Sequence, residues 1–191
     1  MEDIDMIGWI IGGVVVVIVI AVLAFVIKTY NGLVRLRNKV KNAFAQIDTQ
    51  LQRRFDLIPN LVETVKGFAT HEKELLENVT ASRNGYAHAS SNGEKMALNN
   101  QLTSSLRSLF AVVENYPDLK ANTNFLKLQD ELSETEDKIT YARQFYNDAV
   151  TIYNDKIQMF PGNIVAGMFG FREEELFNTD DDAKAAPKVQ F

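Results

Sequence analysis

Residues 7–27 form an uninterrupted apolar run without a charged side chain. At about 1.5 Å per residue, a helix over this run spans about 31 Å, which matches the hydrocarbon core of a bilayer. A secretory signal peptide is the alternative, but the preceding residues are acidic where a signal peptide carries cations, and the run is too long. The pattern therefore predicts a retained transmembrane helix after an extracytoplasmic tail over residues 1–6.

From residue 28 onward, apolar residues recur every three or four positions, and no alternating strand pattern is found. This spacing predicts helices over residues 28–56, 59–89, 94–115 and 123–159, with the first break just before Pro59. Ser91 and Glu94 have the spacing of a capping box at the start of the third helix, and Asn122 or Thr123 can cap the fourth. The fourth helix repeats its apolar positions about every 3.5 residues, which is typical of coiled-coil-like packing.

The predicted fold class is all-α, with a transmembrane helix that continues into long helices joined by short loops. Short connections favour antiparallel neighbours, so we expect an up-down-up-down four-helix bundle over residues 28–160. An apolar contact segment over residues 161–177 and a mobile tail over residues 178–191 would complete the chain.

The charges that flank the apolar run predict its orientation. Five cations and no acid follow it before Asp48, whereas three acids and no cation precede it. The positive-inside rule places the N-terminus outside and the remaining chain in the cytoplasm, at a bacterial inner or plasma membrane. We expect these cations to contact anionic lipid headgroups; they are Lys28, Arg35, Arg37, Lys39 and Lys41. Gly8 and Gly12 form a small-xxx-small pair that can pack transmembrane helices together, although exposure to lipid is equally compatible.

In an up-down-up-down bundle the fourth helix ends near the membrane, and residues 158–171 after it carry no charge. This segment is too short to span a bilayer. Its apolar side chains can contact lipid, a neighbouring copy or the base of the bundle, and the predicted contact residues are Phe160, Ile164, Met168, Phe169 and Phe171. At the end of the chain, Val189 and Phe191 point the same way if extended and would suit a docked peptide, the alternative being a frayed terminus.

Chemical sites are not evident in the sequence. Cysteine is absent, there are two histidines, and the net charge of −5 argues against nucleic-acid binding. His71-Glu72 begins like a zinc-protease motif but has Leu75 in place of the second histidine. We expect no catalytic, cofactor-binding or metal-binding residues. Three further expectations concern side chains: Glu72 pairs with Arg37 or Arg54, Glu134, Glu136 and Asp137 form a solvated face, and Tyr141, Phe145, Tyr146 and Tyr153 lie in the core.

Several motifs resemble the bacterial LemA family. The most specific is Arg-Arg-Phe-Asp-Leu-Ile-Pro-Asn-Leu-Val over residues 53–62, and others are residues 30–38, 65–72, 81–83, 114–117 and 161–163. The resemblance extends over nearly the whole chain, including the apolar run. It implies a single-pass protein with an outside N-terminus, a cytoplasmic helical bundle and no established catalytic activity. Membrane zinc proteases encoded near family members suggest a link to membrane quality control.

Three functions are compatible with these features. The first is a non-enzymatic, membrane-anchored scaffold that binds membrane lipid and self-assembles through its anchor and bundle into a homo-oligomer. The alternative is an adaptor that recruits or regulates a membrane protease or another envelope protein. An enzyme would need polar groups that converge in a cleft, and the sequence indicates none.

Overall fold

The computed structural model describes residues 2–69 and 72–177, and side chains from residue 9 onward within these ranges. Over this part of the chain the fold is all-α, without a strand, as predicted. The helices are α1 (Glu2–Lys66), α2 (Lys73–His88), α3 (Asn92–Val113), α4 (Pro117–Lys120), α5 (Thr123–Gln158) and α6 (Gly162–Phe169).

Helix α1 continues through Pro59, so the predicted break before this proline is wrong. Proline removes one backbone donor from the helix, but Phe55, Ile58 and Leu61 around it are fully buried. Their burial favours the continuous helix more than the proline disfavours it. The helix ends at Lys66 instead, where the Phe68 and Ala69 amides both donate to the Val65 carbonyl, at 3.0 and 2.8 Å.

Two predicted helix starts are confirmed. At α3, the Glu94 amide donates to Ser91 Oγ at 3.1 Å, and the Glu94 carboxylate accepts from the Ser91 amide, which completes a capping box. Hydrogen bonds from the Ser90 and Ser91 amides lower the pKa of Glu94. At α5, Asn122 Oδ1 accepts from the amides of Asn124 and Phe125.

The chain divides into two compact units. The anchor unit contains the described residues up to Lys41 together with Ala149–Glu174. The core unit contains Asn42–Asp148 together with residues 175–177. Helices α1 and α5 each contribute one part to each unit.

The core unit buries the apolar stripes of its helices. Aromatic contacts join distant parts of the chain: the Phe55 and Tyr86 rings stack with centroids 4.2 Å apart, and Phe44 meets Tyr146 edge-on at 5.6 Å. The side chains with no exposed surface at all include Ile47, Leu51, Leu61, Val65, Val79, Leu102, Leu109, Leu119 and Ile139. This continuous apolar interior is the main source of stability in such a domain.

The anchor unit has a small interior and a large exposed apolar surface. Leu33 and Val40 of α1, Val150 and Tyr153 of α5, and Val165 of α6 are buried. By contrast, the large apolar side chains from Trp9 to Phe25 are exposed. Among the described residues, α1 is the one helix long and apolar enough to cross a membrane, and none of its most apolar stretch is buried.

Candidate functional site

In the anchor unit, apolar side chains are exposed on α6 as well as on α1. Phe160 is 79% exposed and Met168 67%, and Ile164 and Phe169 are also more than half exposed. Phe171, predicted with them as a contact residue, is only half-buried. On the other face of α6, Val165 and Ala166 are buried against the unit.

Two aromatic contacts fix the position of α6 along α1. The Tyr30 ring lies 4.8 Å from the Phe169 ring and 5.7 Å from the Phe171 ring, between centroids. Tyr30 follows the last residue of the apolar run, Ile27, by three positions. The C-terminal end of α6 therefore lies beside α1 just past the apolar run.

Four of the five predicted headgroup-binding cations, Lys28, Arg35, Lys39 and Lys41, are exposed on α1. The fifth, Arg37, is half-buried, and its guanidinium lies over the Phe171 ring, 5.1 Å from the centroid. This cation–π contact joins Arg37 of α1 to the segment after α6 within the anchor unit. Binding of all five to lipid stays a prediction.

The other predicted contact residues are Gly8 and Gly12 in α1 and Val189 and Phe191 at the end of the chain. A Cβ added at Gly12 would meet nothing within 4 Å, and Gly8 lies in α1 before the first described side chain. Val189 and Phe191 lie outside the described residues.

A Tyr-Asn dipeptide that occurs twice in α5, seven residues apart, holds the backbone after α6. In the anchor unit, Tyr153 donates to the Arg172 carbonyl at 2.9 Å, and Asn154 exchanges two hydrogen bonds with Glu174, at 2.9 and 3.0 Å. Burial, and then the charge of Glu174, raise the pKa of Tyr153. This attachment was missed by sequence reasoning, although the repeat itself was a visible signal.

The same dipeptide acts within the core unit. Tyr146 donates to the Glu175 carbonyl at 2.8 Å. Asn147 Nδ2 donates to the Phe177 carbonyl at 3.1 Å, and the Phe177 amide donates back to Asn147 Oδ1 at 2.8 Å. Phe177 itself is buried beneath the Arg143 guanidinium, 4.5 Å from its ring centroid. Tyr146 and Tyr153 are thus in the interior, as predicted.

Tyr141 and Phe145, in contrast, are exposed, so their predicted place in the core is wrong. They are 66% and 67% exposed. They follow one another by one turn on α5 and line a shallow groove of about 380 Å³, whose other wall includes Gln46 and Gln50 of α1. The buried stripe of α5 passes through Ile139 and Tyr146, which leaves these two rings on another face.

A buried polar cluster in the core unit is centred on Arg54, which is 3% exposed. Its Nη1 donates to Asn99 Oδ1 at 2.7 Å and to Thr103 Oγ1 at 3.0 Å, and it forms an ion pair with Glu136. Burial lowers the pKa of Arg54, while the charge of Glu136 opposes this. The expected solvated face is therefore wrong for Glu136. The expected pairing of Glu72 is also wrong, because Glu72 accepts a hydrogen bond from Tyr116 at 3.1 Å.

A second polar cluster in the core unit contains Asp48, Tyr86 and Lys95. The Tyr86 hydroxyl donates to Asp48 Oδ1 at 2.7 Å, and Lys95 Nζ lies at the same distance from that oxygen. Burial and the hydrogen bond to Asp48 raise the pKa of Tyr86. Tyr86 of α2 and Lys95 of α3 are thus both joined to Asp48 of α1.

The described residues contain no group of three or more histidine, cysteine, aspartate or glutamate side chains that could hold a metal ion. A groove of about 490 Å³ in the core unit is lined by α1, α2 and the turn between them, with Val62, Lys66 and Leu76 among its residues. Its lining offers a binding surface of mixed polarity.

Comparison with known proteins decides the family. The model of the LemA family matches residues 43–191, well over half of the chain. The chain belongs to the LemA family. The match begins after the apolar run and after residues 30–38, so the resemblance quoted for those residues lies outside it.

Curated relatives cover a similar share of the chain. Protein LemA of Metamycoplasma hominis is 28% identical over 152 residues, which are 79% of this chain and 69% of the relative. Magnetosome protein MamQ 2 of Paramagnetospirillum magneticum is 25% identical over 185 residues, 83% of this chain and 68% of the relative. Magnetosome protein MamQ of Magnetospirillum gryphiswaldense is 22% identical over 189 residues, 84% and 70% of the two chains. None of these names denotes an enzyme, and the exposed apolar helix indicates a membrane-associated protein.

Proposed function

We propose that this protein is a non-enzymatic scaffold that self-assembles on the cytoplasmic face of a bacterial membrane. The observation that carries the proposal is that one chain combines an exposed apolar segment of α1 with a helical core unit whose apolar side chains are buried. Residues 7–27 would cross the bilayer, and the cations that follow them would remain on the cytoplasmic side.

The finer architecture that we propose is an antiparallel four-helix bundle built from α1, α2, α3 and α5. Short connections between consecutive long helices, over residues 67–72, 89–91 and 114–122, favour a reversal of direction at each one. Helix α5, with 36 residues, can pair with α1 over a greater length than α2, which has 16 residues. The pairing of α1 with α5 would then form the longest seam of the bundle.

The absence of an enzymatic role is supported by what the polar clusters do. Arg54 is directed at the neutral side chains of Asn99 and Thr103 and at one carboxylate, which is an arrangement that joins helices. A general acid–base site needs a titratable group that can reach a substrate. Neither this cluster nor the one at Tyr86 lines any of the grooves described for the core unit.

Self-assembly is supported by the exposed pair Tyr141 and Phe145 on α5. Aromatic rings are enriched in the buried centres of protein interfaces and depleted from surfaces that stay in water. The groove beside these rings carries glutamine side chains, which can supply hydrogen bonds at the rim of a contact. A second copy that covered this groove would bury both rings.

Mass measurement of the detergent-solubilised protein at micromolar concentration tests the assembly. We expect oligomers for the natural sequence and a shift toward the monomer when Tyr141 and Phe145 are both replaced by serine. The matched control replaces Leu126 by serine, because Leu126 is also an exposed apolar residue of α5. A natural chain that runs as a monomer under these conditions would contradict the proposal.

The second candidate function is an adaptor for a membrane protease or another envelope protein. The observation that favours it is the groove of about 490 Å³ at Val62, Lys66 and Leu76, which is large enough for part of a partner's chain. Removal of residues 187–191 separates the candidates, since an adaptor that docks through Val189 and Phe191 would lose its partner and keep its assembly state. For a scaffold, the removal would change neither the binding of a partner nor the assembly state.

A further inference from the structure

The exposed face of α6 and of the residues just before it forms an apolar patch, defined by Met159, Phe160, Ile164, Met168 and Phe169. All five side chains are more than half exposed. No charged residue occurs between positions 158 and 171. Large exposed apolar patches on a protein surface mark contacts with lipid, a ligand groove or another protein.

The patch is presented on a firmly held element. Gly162 packs so closely on the end of α5 that an added Cβ would lie 2.4 Å from the Lys156 carbonyl oxygen. At its other end α6 stops at Gly170, whose φ of 69° lies in the left-handed region, and the Phe171 amide donates to the Ala166 carbonyl at 3.0 Å. The exposure of the five side chains is therefore a consequence of how α6 is packed.

The patch lies at a defined level along α1. The ring contacts of Phe169 and Phe171 with Tyr30 join α6 to α1 about 4.5 Å, or three residues, beyond the apolar run. If α1 crosses a bilayer, this level is that of the lipid headgroups. Lys28 is exposed on α1 at the same level.

The contact with α1 decides which partner the patch fits best. A second copy could cover it, but its Phe169 end lies against Tyr30, just past the exposed apolar run of the same unit, and that run needs lipid around it. Interfacial helices bury their apolar face about 5–10 Å into the boundary between headgroups and acyl chains. Tyrosine and tryptophan side chains favour this same boundary, which is where Tyr30 would lie.

We propose that residues 159–169 form an interfacial membrane anchor, whose apolar patch enters the cytoplasmic leaflet beside the point where α1 leaves it. This inference rests on the proposed anchoring by α1. Two attachments within one unit prevent α1 from rotating freely about its own axis. The five side chains supply apolar contact with lipid, and cations on α1 supply contact with anionic headgroups.

Single cysteines test the proposal, since the natural chain contains none. An environment-sensitive fluorophore is attached to Phe160→Cys, Met168→Cys or Val17→Cys in the full chain. Each labelled protein is reconstituted into phosphatidylcholine and phosphatidylglycerol vesicles, with or without lipids that carry a nitroxide quencher, placed high on the acyl chain for positions 155, 160 and 168 and near the end of the acyl chain for position 17. Asp155→Cys, at an exposed position of α5 in the same unit, is the matched control.

We expect a blue-shifted emission at positions 160 and 168 that the nitroxide lipid quenches, and neither effect at position 155. Quenching at position 17 without quenching at 160 and 168 would overturn the inference and leave the anchoring by α1 intact. A blue shift at 160 and 168 that dilution of the protein reverses, without quenching, would assign the patch to a second copy and overturn the inference as well. No quenching at position 17 would contradict the proposed anchoring, and the inference with it.

Discussion

Two stretches of the single helix α1 use apolar residues in opposite ways. From Trp9 to Phe25 the large apolar side chains are exposed, whereas from Leu33 to Val65 those at regular intervals are fully buried. The first stretch is apolar on all sides, and the second is apolar along one stripe with polar residues between. A helix with a one-sided apolar pattern is buried against the rest of its own chain. A helix that is apolar all round and exposed needs lipid around it.

Replacement of one apolar residue by aspartate in each stretch should have the largest effect, and the effect should differ between the two stretches. Leu51→Asp places a charge in the apolar interior and should cost more than about 4 kcal/mol of unfolding free energy, a large part of the stability of a typical domain. Val17→Asp should leave thermal unfolding of the core unit unchanged. It should instead reduce the membrane-inserted fraction, because a central charge costs about 3 kcal/mol in a spanning helix.

Circular dichroism during heating and carbonate extraction of membranes measure the two effects. A Leu51→Asp protein that melts like the natural one would show that the second stretch is not part of a core. Loss of cooperative melting in Val17→Asp would show that the first stretch is part of a core.

Within the buried stretch, neighbouring arginines allow a sharper comparison. Arg54 is buried and holds Asn99, Thr103 and Glu136, whereas Arg53 is half-exposed and lies 3.8 Å from Glu134. Arg54→Ala should lower the unfolding free energy by about 3 kcal/mol, since it leaves buried polar partners without a donor. Arg53→Ala should lower it by less than about 1 kcal/mol.

Urea unfolding of the two variants gives these differences directly. Equal effects for Arg53→Ala and Arg54→Ala would contradict the buried cluster. The same measurement on Arg54→Met separates the loss of packing from the loss of the charge.

A third comparison concerns Tyr86, which differs from exposed Tyr141 in having a partly buried hydrogen bond to Asp48. Tyr86→Phe should cost about 1–2 kcal/mol at neutral pH. The pKa of Tyr86 is raised in the folded chain, so its contribution is complete below pH 10 and is lost as the pH rises above that value. The Phe variant should therefore show a weaker decline of stability at alkaline pH.

Urea unfolding between neutral pH and pH 11 or so, well above the ordinary tyrosine pKa of about 10, provides the readout. Tyr141→Phe is the control and should follow the natural protein throughout. An unchanged alkaline decline in Tyr86→Phe would exclude the proposed linkage.

Features set by local spacing were predictable from the sequence. The apolar run, the helical stripes and the capping box at Ser91 depend on residues within a few positions of each other. Arg54, which the sequence marked as a candidate partner of Glu72, lies in register with the buried stripe of α1 and is buried. Its partner Glu136 was missed, because 82 positions separate the two and no local pattern joins them.

The errors arose where packing outweighs a local preference. Pro59 was expected to break α1, but burial of its neighbours keeps the helix continuous. The backbone after α6 was expected to be only an apolar segment and a tail. Its attachment to Asn147 and Asn154 needs contacts between residues 20 to 30 positions apart, which spacing alone does not predict.

We propose that α1 passes from lipid into water near Lys28. Nitroxide labels at Val17→Cys, Arg35→Cys and Ala45→Cys in vesicles test it most directly, by comparing relaxation caused by oxygen, which concentrates in lipid, with that caused by a water-soluble nickel complex. We predict that oxygen dominates at position 17 and the nickel complex at positions 35 and 45. Equal access of the nickel complex to all three positions would contradict the claim.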